Sequence, residues 1–76
     1  MSKPTKKQVG TAALIVCRAA VPEASNELLG HLARRYIEDY YFRCDVDRLA
    51  HHVRIPAKEE RKVDEAKAIA RMGLGI

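Results

Sequence analysis

Leu28, Leu29, Leu32, Ala33, Tyr36, Ile37 and Tyr40 recur at steps of three and four along an unbroken stretch of chain. On a helical wheel they cover one half. Gly30, His31, Arg34, Arg35 and Glu38 cover the other. This predicts a long amphipathic helix from Pro22 to about Phe42. Pro22 suits its first turn, where a missing amide costs nothing, and Ser25 is a second candidate cap. Glu23 and Glu27 lie near the positive end of the helix dipole. Arg34–Glu38 and Arg35–Asp39 have the spacing of ion pairs on the wet side. A helix with so wide an apolar half is stable only when other elements cover it.

Those elements are also helical. Thr5-Lys6-Lys7-Gln8 has the form of a capping box and starts a first helix reaching about Ala20. Its Val9, Ala13, Val16, Cys17 and Ala20 share one face. The β-branched Ile15 and Val16 leave a strand over Ala13–Cys17 as an alternative. After a link at Arg43-Cys44, Asp45 caps a short helix, Val46–Val53, with Val46, Leu49, Ala50 and Val53 inward. Arg54-Ile55-Pro56 is a turn, because Pro56 disfavours helical geometry at Ile55 and then opens a new helix. That fourth helix runs to about Met72, with Gly73 as its left-handed C-cap. Its apolar stripe, Val63, Ala66, Ala70 and Ile69, is thin, which predicts weak attachment to the rest. The chain is thus expected to be all-α: a flexible basic tail over residues 1–4, then one small domain over 5–76, a compact bundle of about four helices.

Size and composition narrow the function. At 76 residues there is room for one domain. Trp is absent and the four aromatics are needed to close the core, so a large ligand cavity is not expected. The longest apolar run, Ala12–Cys17, is too short to span a bilayer and short for a signal peptide, so a cytoplasmic protein is expected. Cys17 and Cys44 are then thiols. Together with His31, His51 and His52 they show no C-x-x-C or H-x-x-x-H spacing, and no metal or cofactor is expected. Nucleophile motifs and glycine-rich phosphate loops are also missing, which argues against an enzyme.

Asp45–Ala66 reads as short helix, turn and longer helix, and resembles the helix-turn-helix family of DNA-binding proteins. With Ala50 as the small residue of the first helix, Leu49, Val53, Ile55 and Val63 match the family's apolar positions. The resemblance gives the bundle a helix-turn-helix-like second half and implies DNA contacts from Arg54, Lys58, Arg61 and Lys62. Two positions depart from the pattern. Arg54 stands at the usual glycine of the turn, and Glu60 stands at a position usually filled by buried Val or Ile. On the fourth helix Lys58, Arg61, Lys62, Lys67 and Arg71 alternate with Glu59, Glu60, Asp64 and Glu65, as in a solvated helix laced with pairs such as Arg61–Glu65 and Glu59–Lys62.

A net charge of +4 permits either nucleic acid or an acidic protein surface as partner. Acids in the first turn of the fourth helix would meet phosphate unfavourably, which favours the protein. In size and character the chain is similar to the small, basic, cofactor-free proteins with which phages redirect host transcription. It is therefore expected to be a non-catalytic transcription regulator or inhibitor contacting bacterial RNA polymerase in an infected cell. The expected contacts are the basic tail, Lys3, Lys6 and Lys7, and the exposed arginines Arg35, Arg43 and Arg48. The alternative is a helix-turn-helix DNA-binding regulator. All four aromatics fall between Tyr36 and Phe42 with arginines beside them; Tyr36 and Tyr40 are expected in the core and Tyr41 on the surface.

Overall fold

The computed structural model of the chain describes residues 3–52 and 56–75. They form four helices: α1 (Lys6–Ala20), α2 (Asn26–Glu38), α3 (Tyr40–His52) and α4 (Ala57–Leu74). The all-α bundle follows the sequence reading, and Ala13–Cys17 is helix, not strand. Among the described residues no helix is long and apolar enough to cross a membrane.

Helix α1 is the axis of the molecule. Its N-terminus carries the expected capping box. The Gln8 amide donates to the Thr5 hydroxyl (3.2 Å), and the Thr5 amide donates to Gln8 Oε1 (2.8 Å). Val9, Ala12, Ala13, Val16, Cys17 and Ala20 are all buried on one face, which α2, α3 and α4 cover, while Lys7, Thr11, Leu14 and Arg18 stay exposed. The α1–α4 pair makes the most extensive interface, so α4 is not weakly attached. Its thin stripe suffices because the facing residues are small. Ala66 and Ala70 share one buried cluster with Ala12 and Ala13 of α1, and side chains this small let the helices approach. Gly73 marks a close approach: a Cβ there would collide with Val9 Cγ2. This is why Gly73 lies inside α4 while Gly75, at φ 74°, provides the left-handed C-cap. The Val9–Gly73 contact, with residues 7–15 facing residues 62–69, makes α1 and α4 antiparallel.

The largest departure from the sequence reading lies at Asp39. The expected helix through Phe42 ends at Glu38, and α3 begins at Tyr40, so Cys44 and Asp45 lie within α3 and neither links nor caps. No proline or glycine marks the break. Asp39 adopts an extended conformation (φ −119°, ψ 112°), and its carboxylate accepts from the Phe42 amide (3.1 Å), capping the new helix. The carbonyls left open at the end of α2 are met by Arg43, whose Nε donates to the Tyr36 carbonyl and Nη2 to the Ile37 carbonyl, both at 3.0 Å. Helix α2 starts later than Pro22. Ser25 is its N-cap, accepting from the Leu28 amide (3.2 Å), and Pro22 stays in the preceding turn.

The break redistributes the apolar residues. Leu29, Ala33 and Tyr36 are buried, but Leu28 is 46% exposed and Tyr40 50% exposed, against expectation. Leu49 is exposed too, while Val46 and Ala50 point inward as expected. The wide apolar arc of α2 is only partly covered because the partner helices approach it from one side. Val53, Arg54 and Ile55, which carry one expected inward residue and most of the expected turn, lie outside the described residues.

Candidate functional site

Below the surface, α1, α2 and α3 meet at a polar knot. The Tyr36 ring is fully buried, and its hydroxyl donates to Asp47 Oδ1 at 2.6 Å. Burial first, and then the bond to Asp47, raise the Tyr36 hydroxyl far above the ordinary tyrosine range. Cys17 lies nearby, a free buried thiol pushed up to about 11 by burial and, secondarily, by the Asp47 charge. A thiol held neutral in this way is inert packing, not a nucleophile. Arg43 completes the knot. It is only 5% exposed, and its guanidinium stands 6.0 Å from both the Tyr36 and the Tyr40 ring centroids. Among the described residues no carboxylate pairs with it; the negative end of α2 and two aromatic faces balance its charge. Arg43 was expected at the surface as a partner contact. Its role is internal: it closes α2.

The other expected contacts are outside. Lys3, Lys6 and Lys7 are exposed at the start of α1. Arg35 is exposed, pairs with Asp39 at 4.0 Å and lies over the Phe42 ring at 5.0 Å. Arg34–Glu38 forms as expected at 3.1 Å. Of the expected DNA contacts, Lys58, Arg61 and Lys62 are exposed on α4, and Arg54 lies outside the described residues. Glu59 and Glu60 are exposed beside them, so Glu60 does not occupy a buried position. Among the described residues the only ion pairs within 4.0 Å are the two on α2; Arg61–Glu65 and Glu59–Lys62 do not form. The rings of His51 and His52, both exposed, meet edge-on at 5.6 Å. Among the described residues no three His, Cys, Asp or Glu side chains converge as metal ligands.

Helices α3 and α4 both rest on α1 and touch each other little, which leaves a groove of about 570 Å³ between them. Tyr40, Cys44, Asp47, Arg48 and His51 form one wall and Lys67 and Arg71 the other. Asp47 is the one acid there, and its Oδ1 is already taken by Tyr36. Of this set only Arg48 was singled out from sequence as a contact. Lys67 and Arg71 follow the last acid of α4, Glu65, at a spacing of one turn. That local loss of acids was the available signal, but nothing in the sequence faced them toward Arg48. A second, apolar hollow of about 340 Å³ lies between α1 and α4, with Lys7 and Lys62 at its rim. Neither space brings together a nucleophile, a base and an oxyanion donor; what the α3–α4 groove offers chemically is positive charge.

Comparison with protein-family models, with curated proteins and with solved structures gave no match for this chain.

Proposed function

We propose that this protein is a non-catalytic regulator that docks through a basic pole onto an acidic surface of a macromolecular machine, with bacterial RNA polymerase in a phage-infected cell as the concrete candidate. One observation carries the reading. Lys6 and Lys7 occupy the first turn of α1, which holds no acid, and Lys3 is just ahead of them. Cations at a helix N-terminus oppose the dipole, at about 0.3–1 kcal/mol each. The antiparallel α4 brings its negative end alongside, but Arg71 already stands in its last turn. The stretch before Glu23 holds Lys3, Lys6, Lys7 and Arg18 and no acid, so it carries the whole net charge of +4. Charge placed against a local rule, and exposed, is the mark of a surface shaped for a partner. Arg48, another expected contact of this reading, is exposed and lines the α3–α4 groove.

The test uses purified bacterial RNA polymerase. The protein should be captured by the polymerase and should lower transcription from a bacterial promoter. Reversing Lys3, Lys6 and Lys7 to Glu should slow association most, because exposed charges steer encounter. Reversing Arg35 and Arg48 should restore transcription. Full transcription at saturating protein, with no polymerase captured, sinks the proposal. A second reading, a helix-turn-helix DNA reader, is supported by Lys58, Arg61 and Lys62, which are exposed and have no ion-pair partner among the described residues. It requires sequence-selective duplex binding that weakens when those three are neutralised.

A further inference from the structure

The α3–α4 groove has a composition that the bundle does not need. Arg48, Lys67 and Arg71 are three permanent cations on facing walls, and none is within 4.0 Å of a carboxylate among the described residues. Packed across a groove they repel one another, so they add nothing to folding. Asp47 lines the same groove and keeps its charge while accepting from the Tyr36 hydroxyl, so it offsets one of the three cations and leaves the lining net positive. An anion between the walls would relieve the repulsion. Lys67 and Arg71 are one helical turn apart, as are Arg48 and His51. The Lys67 and Arg71 Cβ atoms are thus about 5–6 Å apart on one wall with Arg48 on the other, a spread arrangement suited to successive charges on a chain, not to one compact ion.

The tyrosines decide what kind of chain. Tyr40 lines the groove and is half exposed; Tyr41 beside it is 79% exposed, with the two rings edge-on at 5.5 Å. Arg43 stands 6.0 Å from the Tyr40 ring centroid and fixes that ring from the protein side. Neither ring closes the core. Bare aromatic faces beside a row of cations match a polynucleotide, whose bases stack while its phosphates meet the charges. A duplex is disfavoured by shape: the charges line a concavity, and no basic helix projects from it to enter a DNA groove. We infer that the α3–α4 groove binds single-stranded polynucleotide, with Arg48, Lys67 and Arg71 along the phosphates and Tyr40, extended by Tyr41, as the stacking platform. The tail lysines on which the proposed docking mainly relies do not line this groove; Arg48 is the one residue shared, so Lys67, Arg71 and Tyr40 carry the test.

Fluorescence anisotropy with labelled oligothymidylate and oligouridylate of about twelve nucleotides tests it. The unaltered protein should bind at about 50 mM salt, and a preference for one oligomer would tell DNA from RNA as the natural strand. Lys67→Gln with Arg71→Gln should weaken binding about tenfold or more and lower the salt slope by about 1.4, at about 0.7 per lost phosphate contact. Tyr40→Ala should weaken it about fivefold or more. Lys3, Lys6 and Lys7 changed together to Gln should leave affinity within about twofold. All variants are checked for native circular dichroism, and Arg48→Gln serves as the groove variant if the α4 pair unfolds. Absence of binding to either oligomer overturns the inference. So does an affinity that the groove variants leave unchanged or that the tail variant reduces equally. Tighter binding of a matched duplex, or equal binding of polyglutamate, overturns it as well.

Discussion

Arg43 is the side chain whose removal should be felt most. It is 5% exposed and donates to two carbonyls, Tyr36 and Ile37, both at 3.0 Å. Hydrogen bonds to a charged donor contribute about 1.5–3 kcal/mol each, so losing both and leaving two carbonyls without a donor costs at least about 3 kcal/mol. The Tyr36 and Tyr40 ring contacts would be lost as well. Arg43→Ala should therefore destabilise the protein by about 3–5 kcal/mol, comparable with the whole stability that a core of this size supplies. Arg43→Lys should recover roughly half, because a single ammonium cannot reproduce the planar fork that reaches both carbonyls. Urea denaturation followed by far-ultraviolet circular dichroism measures this directly. A loss of that size moves the midpoint by about 2 M, or leaves no folded baseline at all. Arg34→Ala is the control. It removes one exposed i,i+4 pair and should change stability by under about 0.5 kcal/mol. If Arg43→Ala and Arg34→Ala had the same midpoint, Arg43 would not be the closure of α2 and the account of the Asp39 break would fail.

Adjacent leucines should separate sharply: Leu29→Ala should cost about 2–5 kcal/mol, while Leu28→Ala should cost less than half of that, since Leu28 is 46% exposed. Two helical glycines should respond with opposite signs in thermal melts. Gly30→Ala meets open space and should stabilise by about 0.5–1 kcal/mol, whereas Gly73→Ala collides with Val9 and should destabilise by about 1–3 kcal/mol. The Cys17 thiol is raised from 9.0 to about 11, so the folded state holds its proton more tightly than the unfolded state. Its contribution is therefore complete below about pH 9 and is lost as pH rises toward 11, and Cys17→Ala should flatten that part of a stability–pH curve. In the native protein a thiol reagent should modify Cys44 and spare buried Cys17, with both reacting in urea; equal native reactivity would contradict the packing of α1.

Local chemistry was legible wherever cause and effect lie within one helical turn. The Thr5–Gln8 capping box, the Ser25 cap, the pairs Arg34–Glu38 and Arg35–Asp39, and the Val63–Ala66–Ala70 stripe all stand where spacing placed them. The helical class follows from the same short-range rules. Periodicity, however, gives only an apolar arc and not the side from which it is covered. Leu28 and Tyr40 share an arc with Leu29 and Tyr36, yet α1 and α3 reach only the latter two. The break at Asp39 was hidden for a similar reason. An aspartate in a helical pattern is ambiguous until the carbonyls it strands find a donor, and that donor, Arg43, had the appearance of a surface charge. Gly73 read as a stop signal because its purpose, admitting Val9 from a helix more than sixty residues away, is not local. The basic groove belongs to the same class. Arg48 and the Lys67–Arg71 pair are ordinary charges in sequence; they become facing walls because α3 and α4 each pack on α1 instead of on one another.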